Sequence, residues 1–333
     1  MATIKDIAQK TNLSSSAVSR ILNNDDTLKV PEKTKQLVFE AAKELNYQKK
    51  TRQKKDLFPD LIGIVMWTSM EREIEDPYYL AIRQGAEEYC RTHNYPVIRV
   101  YEDDINYMEN LKNASALICI GKFSQVKLRS LKKITQNLVV IDMDFNPITE
   151  CHITLDFKNA IREVVQTFHH QGHQKIGYLG GLEYLDHELY QDTRKTYFKR
   201  FCEFYHCDYQ DYILEDKYSV DSGYQMAVQL IESQKLPTAL FCANDLIAIG
   251  ALKAFSDYHI HVPNDISIIG FDNINLINYT KPPLSSVMAP TLDMGTIGAS
   301  IVIQSLETKT NPPCLKIQLP CYLINRESIK QLD

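Results

Sequence analysis

The chain has 333 residues, with 37 Lys+Arg against 42 Asp+Glu, and its eight cysteines are scattered without a CxxC pair, which argues for reduced thiols over a disulfide frame. No apolar run approaches the roughly 20 residues a membrane span needs, and Lys5, Asp6, Gln9 and Lys10 interrupt any hydrophobic signal core at the start, so a cytoplasmic protein with no membrane partner is expected. Charge is uneven: residues 1–56 hold 12 Lys+Arg and 7 Asp+Glu, leaving 25 and 35 for the remainder, the footprint of a nucleic-acid contact confined to a basic head.

The first 47 residues read as three short helices. Thr3 can cap the first, with Asp6 three residues on as its carboxylate partner. Ile4, Ile7 and Ala8 give that helix an apolar face, and Asn12 suits the left-handed position that ends it. Ser14 caps a second helix whose Val18, Ile21 and Leu22 point inward. Ser15, Ser16, Ser19, Arg20 and Asn23 fall largely on its outer side. Small hydroxyls admit close approach to base edges, and an arginine can hold a guanine or a phosphate. Pro31 suits the first turn of a third helix, with Val38, Ala41, Ala42 and Leu45 as its buried stripe. A bare three-helix scaffold has the same spacing, so the pattern alone leaves both readings open.

Residues 48–60 read as a polar, mostly basic linker, a run that is solvated when free and can rest on phosphates beside a DNA-binding head. From residue 61 to 333 strands and helices alternate. LIGIVMW, PVIRVY, ALICIG and NLVVIDMD read as strands, PYYLAIRQGAEEYCRTH as a helix, and the pattern returns with KIGYLGG, TALFCAND and ISIIGFDN. Alternation at this spacing gives parallel sheets covered by helices on both faces, which bind ligands at the carboxyl ends of their strands. Trp67, Thr68, Lys122, Asp142, Asp144, Asn244, Asp245, Asp272 and Asn273 stand at such ends.

ATIKDIAQ, LSSSAVSRILNN and VPEKTKQLVFEAAKELNY together resemble the head of the lactose/galactose repressor family, almost without a gap through Tyr47. GHQKIGYLGG and PTALFCANDLIAIGALKAF…VPNDISIIGFDNI…PPLSSV resemble that family's effector-binding body. The implied fold is an all-α helix-turn-helix head plus an α/β periplasmic-binding-protein-like body of two doubly wound parallel-sheet lobes. Lobe one is expected at about 61–157 and 290–319, lobe two at about 158–289 and 320–333. The resemblance implies that the second helix enters the major groove. Ser15 and Ser16 would choose the operator, with Ser14, Ser19, Arg20, Asn23, Thr3 and Ile4 near or on the duplex. Family members carry a Pro-Asn and an Ala-Arg-x-Leu hinge where this chain has QKKTRQKKD; Leu57 is the substitute available, with Pro59 close behind.

The same resemblance carries effector contacts onto Arg194 of DTRKTYF, Asn244 of the AND turn, Asp272 of GFD, and Tyr218 before SGY. Tyr78, Tyr79, Trp67 and Lys122 complete the expected cleft. Aromatic faces with carboxylate, amide and guanidinium groups suit a neutral polyol. EIEDPYYLAIRQGAEEYC and ICIGK resemble the branch of evolved-β-galactosidase and galactose-operon repressors, which implies a galactoside or galactose. Gly121 and Ala289 depart from the asparagine and glutamine of some members. A phosphorylated co-repressor or a protein partner is the alternative effector. No catalytic constellation, cofactor or metal is expected: His169, His170 and His173 lack a further ligand type, and no phosphate loop surrounds Gly180-Gly181. No heptad tail follows Asn325, and the family implies a homodimer through the body.

Overall fold

The computed structural model describes residues 2–22, 30–45, 47, 60–101, 103–144 and 149–332. They divide into two compact units, Met1–Phe58 and Pro59–Asp333. Asn23 and residues 48–59, including Leu57 and Pro59, lie outside the described residues.

The first unit holds α1 (Ile4–Thr11), α2 (Ser15–Leu22) and α3 (Glu32–Glu44). At the start of α1 the Thr3 N–H donates to Asp6 Oδ2 at 2.7 Å, and the Asp6 N–H donates to Thr3 Oγ1 at 3.4 Å. This reciprocal cap satisfies amides that no helical carbonyl can reach, and the Thr3 backbone bond holds the Asp6 carboxyl below its usual range. Asn12 ends α1 in the left-handed region at φ 55°. Ser14 Oγ accepts the Ala17 N–H at 3.1 Å and starts α2. Ile7, Ala8, Val18, Ile21, Val38, Ala41 and Ala42 make the small core, with Ile4, Leu22, Leu45 and Tyr47 packed at its margin. Pro31 is the one displaced element here. Its ψ of 144° is extended, so it caps α3 from outside where the sequence suggested its first turn.

The second unit begins with β1 (Leu61–Met66), α4 (Met70–Glu75), α5 (Pro77–Thr92), β2 (Val97–Val100), α6 (Tyr107–Asn110), β3 (Ala114–Ile120), α7 (Gln125–Leu131), β4 (Leu138–Ile141) and β5 (Cys151–Leu155). It continues with α8 (Phe157–His170), β6 (Ile176–Gly181), β7 (Glu183–Leu185), β8 (Glu188–Tyr190), α9 (Thr193–Phe204), β9 (Ile213–Asp216), α10 (Val220–Glu232), β10 (Ala239–Cys242), α11 (Asp245–Asp257), β11 (Ser267–Asp272) and β12 (Ser285–Met288). α12 (Thr291–Thr308), β13 (Lys316–Leu319) and β14 (Tyr322–Ile324) close the chain.

Two six-stranded sheets result, in the orders β13-β5-β4-β3-β1-β2 and β14-β12-β11-β10-β6-β9. All pairings in them are parallel except that of β12 with β14. The chain therefore passes between the sheets after β5, after β12 and after β13. The central strands β3, β4, β6, β10 and β11 are almost wholly buried, as parallel strands covered on both faces must be. α12 returns to lobe one and lies against α5. A Cβ on Gly295 would fall 1.9 Å from the Ile82 carbonyl oxygen, so only glycine allows that helix crossing.

Candidate functional site

The two lobes enclose a cleft of about 310 Å³ at the carboxyl ends of their strands, and all eight effector residues expected from the sequence line it. On the lobe-one wall, Asp142 follows β4 and gathers three donors. The Tyr78 hydroxyl donates to Oδ1 at 3.0 Å, the Tyr79 hydroxyl to Oδ2 at 2.9 Å, and Lys122 Nζ to Oδ2 at 2.6 Å. Asp76 caps α5 by accepting the Tyr78 N–H at 3.1 Å, and Pro77 at the first helical position fixes where the two tyrosines emerge. Burial, reinforced by the Asp142 charge, pushes both phenols well above their usual range. Burial works against the Lys122 charge, but Asp142 and Glu183 outweigh it and hold the ammonium protonated.

Trp67 follows β1 and stands edge-on to Tyr79, their centroids 5.8 Å apart. Its ring occupies the space a side chain at position 121 would need: a Cβ on Gly121 would lie 1.7 Å from Trp67 Cδ1. Gly121 also has φ +108°, in the region that favours glycine. Three buried polar atoms on this wall, Trp67 Nε1, Thr68 Oγ1 and Thr154 Oγ1, have no hydrogen-bond partner. Leaving such groups unmade costs about 1–3 kcal/mol each.

On the lobe-two wall, Asp192 caps α9 and organises Arg194. The Arg194 Nε donates to Asp192 Oδ1 at 3.0 Å and Oδ2 at 3.1 Å, and Nη1 donates to the Ala243 carbonyl at 2.7 Å. Nη2 donates to the Tyr218 hydroxyl, which itself donates to Asp192 Oδ2 at 2.8 Å. The guanidinium lies 5.1, 5.5 and 5.7 Å from the Tyr218, Phe157 and Phe271 ring centroids. Tyr218 thus offers its ring to Arg194, where the sequence suggested a sugar. A guanidinium has five N–H donors, so two remain for other acceptors. Burial pulls the Asp192 carboxyl up, but Arg194 and the bonds it makes hold it below the usual range.

Asn244 caps α11: its Oδ1 accepts the Ile247 N–H at 2.9 Å, which leaves the amide NH₂ as its free end. Asp272 ends β11 at φ 101°, and its carboxyl is pushed well above the usual range by burial and then by the charges of Asp76 and Asp245. Asp245 lies beneath this turn, accepting the Ser286 hydroxyl at 2.6 Å and the Ile274 N–H at 2.8 Å. Burial pushes its own pKa up to about 7.

The sequence did not single out Asp76, Asp192, Glu183 or Tyr190. Asp76 and Asp192 were legible in principle as residues preceding helix starts. Glu183 and Tyr190 lie on the short β7–β8 hairpin, for which no periodicity exists. The histidine cluster separates: the His173 ring binds Thr238 Oγ1 at 3.0 Å and the Lys330 carbonyl at 3.1 Å, a tie that anchors the C-terminal segment. Among the described residues no group of three His, Cys, Asp or Glu side chains is placed to hold a metal, and no helix is long and apolar enough to cross a membrane.

In the head, Ser14, Ser15 and Ser16 are exposed at the start of α2, with Ser19 and Arg20 half-buried along it. Thr3 is exposed but its hydroxyl is engaged with Asp6, donating at 2.8 Å. Ile4 is half-buried against the core.

The family model for bacterial regulatory proteins of the lacI family matches residues 3–50, and that for a periplasmic binding protein-like domain matches residues 165–329. The HTH-type transcriptional regulator GalR of Streptococcus thermophilus is 34% identical over 337 residues, spanning 99% of this chain and 100% of that protein. The HTH-type transcriptional repressor MelR of Bacillus subtilis (strain 168) is 32% identical over 348 residues, spanning 98% and 97%. The crystal structure of the lac repressor dimer bound to operator and the anti-inducer ONPF shares the fold, with a TM-score of 0.71 at 21% identity over 99% of each chain. A helix-turn-helix head on a two-lobed periplasmic-binding-protein-like body defines a DNA-binding transcription regulator, not an enzyme. The chain belongs to the lacI family of bacterial regulatory proteins.

Proposed function

We propose that this regulator is a cytoplasmic homodimer that represses a sugar-utilisation operon and leaves its operator when a galactoside or galactose fills the cleft. One observation carries the choice of a neutral sugar: orphaned Trp67 Nε1, Thr68 Oγ1 and Thr154 Oγ1 accompany aromatic rings in a lining with six basic and six acidic residues. Sugar C–H faces lie on aromatic rings while hydroxyls serve both as donors and acceptors. A phosphorylated ligand needs an excess of cationic groups, and here Lys122, Arg194 and Lys316 are already committed to Asp142, Asp192 and Asp144.

The switch follows from polar groups carried by both walls. Asp76 of lobe one and Asp272 of lobe two line the same cleft. A sugar whose hydroxyls pair with both favours the closed cleft. Binding weakens operator affinity only in so far as the sugar prefers that state. On DNA, Ser15 and Ser16 read base edges from α2, joined by Ser14, Ser19, Arg20 and Asn23, with Thr3 and Ile4 at the start of α1. Two heads related by a two-fold axis call for a pseudo-palindromic site.

Titrating the full chain on its own promoter DNA, with and without lactose, melibiose, galactose and hexose phosphates, tests this. Galactosides or galactose should weaken specific binding at least tenfold. If only a phosphorylated compound changes the affinity, the effector is of the other class. If none does, a protein partner takes the sugar's place and the proposed reading falls.

A further inference from the structure

Resting on the reading of the cleft as a sugar site, we infer that the β7–β8 hairpin builds a second ring subsite, making the effector a galactosyl disaccharide in preference to free galactose. The hairpin leaves lobe two directly after β6, and its two strands pair Glu183 opposite Tyr190. Both residues line the interlobe cleft together with Lys122 of lobe one. Lys122 Nζ stands 5.5 Å from the Tyr190 ring centroid, so a lobe-one cation rests on a lobe-two ring across the cleft.

Asp142 ties this group to the lobe-one wall: its Oδ1 accepts the Tyr78 hydroxyl, and its Oδ2 the Tyr79 hydroxyl and Lys122 Nζ. The hairpin thus adds a second polar centre, Glu183 with Lys122 and Tyr190, beside the Asp192–Arg194 pair, whose charge Glu183 also feels.

The second centre has open hydrogen-bonding capacity. Among the described residues, no hydrogen bond engages the Glu183 carboxylate, although the hairpin turns it into the cleft wall. Lys122 gives two of its three N–H groups to Asp142, one to Oδ2 and one to the backbone carbonyl. An acceptor, a donor and a ring edge are what a second pyranose requires.

Trp67 is the chain's one tryptophan, so its emission reports the cleft directly. The test titrates the full chain with lactose, melibiose and galactose by Trp67 fluorescence and calorimetry, for the natural protein and for Glu183→Ala and Tyr190→Ala. The expected result is a disaccharide bound at least tenfold more tightly than galactose. Each substitution should then lower the disaccharide-to-galactose affinity ratio at least tenfold, with thermal melting confirming a folded body. Equal affinities in the natural protein, or a ratio unmoved by both substitutions, overturn the subsite and leave the sugar reading standing. If no sugar binds, both readings fall together.

Discussion

Gly121 and Trp67 are complementary: the missing side chain of one is the space filled by the ring of the other. A Cβ at position 121 would meet Trp67 Cδ1 at 1.7 Å, and the backbone there has φ +108°. Trp67 in turn closes one side of the cleft with its ring nitrogen unpaired. The glycine at this position is thus explained by the aromatic wall it permits.

Gly121→Ala should therefore act on the cleft through Trp67. The strained backbone alone costs about 1–3 kcal/mol, and the ring must turn out of its place. Expected outcomes are a red-shifted tryptophan emission, a lower melting temperature and sugar affinity reduced at least tenfold. An unchanged emission spectrum together with unchanged affinity would show that the ring has another place to go.

Two arginines should separate the two activities. Arg194 touches Asp192, Tyr218 and the Ala243 carbonyl with its fork of donors, a geometry lysine cannot reproduce. Arg194→Lys is expected to abolish the sugar response while leaving operator affinity in the absence of sugar within a few-fold. Arg20→Ala should do the reverse, weakening specific DNA binding about tenfold or more with calorimetric sugar affinity intact. Loss of sugar binding on replacing Arg20 would contradict the division of labour between the two units.

The sequence was most informative where one physical rule acts alone. The caps of α1 and α2 follow from Thr3, Asp6, Asn12 and Ser14 because capping depends on a few adjacent residues. The buried strands β1, β3, β4, β6, β10 and β11 announce themselves through continuous apolar runs. Strands β5 and β12 do not. CHITL carries a histidine and a threonine into full burial, the Thr154 hydroxyl without a partner, and SSVM carries two serines, which hydrogen bonds from distant segments make tolerable. Ser285 Oγ accepts the Arg326 N–H at 2.8 Å, a partner 41 residues away. The site divides in the same way. Residues at strand ends could be named one by one, but Asp142 as the shared acceptor of Tyr78, Tyr79 and Lys122 depends on three elements meeting. Tyr218 was read as a sugar platform because nothing local shows that Arg194 occupies its face.

Asp245 gives a pH prediction with a definite sign. Its pKa is pushed up to about 7 in the folded protein from an ordinary 3.8, so the folded state binds the proton more tightly than the unfolded chain. Its favourable contribution is complete below pH 4 and is lost as pH rises toward 7. Asp245→Asn removes that titration. Compared with the natural protein, the variant's stability should decline less between pH 4 and pH 7, the difference reaching at most a few kcal/mol. Parallel slopes from urea unfolding across that range would show that Asp245 stays charged throughout. Because Asp245 orders the turn carrying Asp272, through Ile274 N–H and Ser286, the variant should also bind sugar more weakly at every pH.

Operator choice and operator affinity should come apart within α2. Ser15 and Ser16 are exposed on its first turn and uncharged. Base-edge contacts discriminate by about 1–3 kcal/mol each, whereas phosphate contacts set the salt dependence. Replacing Ser15 or Ser16 with Gln, which can pair with an adenine edge, should move the preferred half-site sequence while leaving the slope of log affinity against log salt unchanged. Arg20→Ala reduces that slope by about one if its contact is a phosphate, and relaxes one base position if its contact is a guanine. Selection from a randomised half-site library, repeated at two salt concentrations, distinguishes these. Preferences identical to the natural protein's in both serine variants would remove Ser15 and Ser16 from the reading surface and shift it toward the C-terminal part of α2.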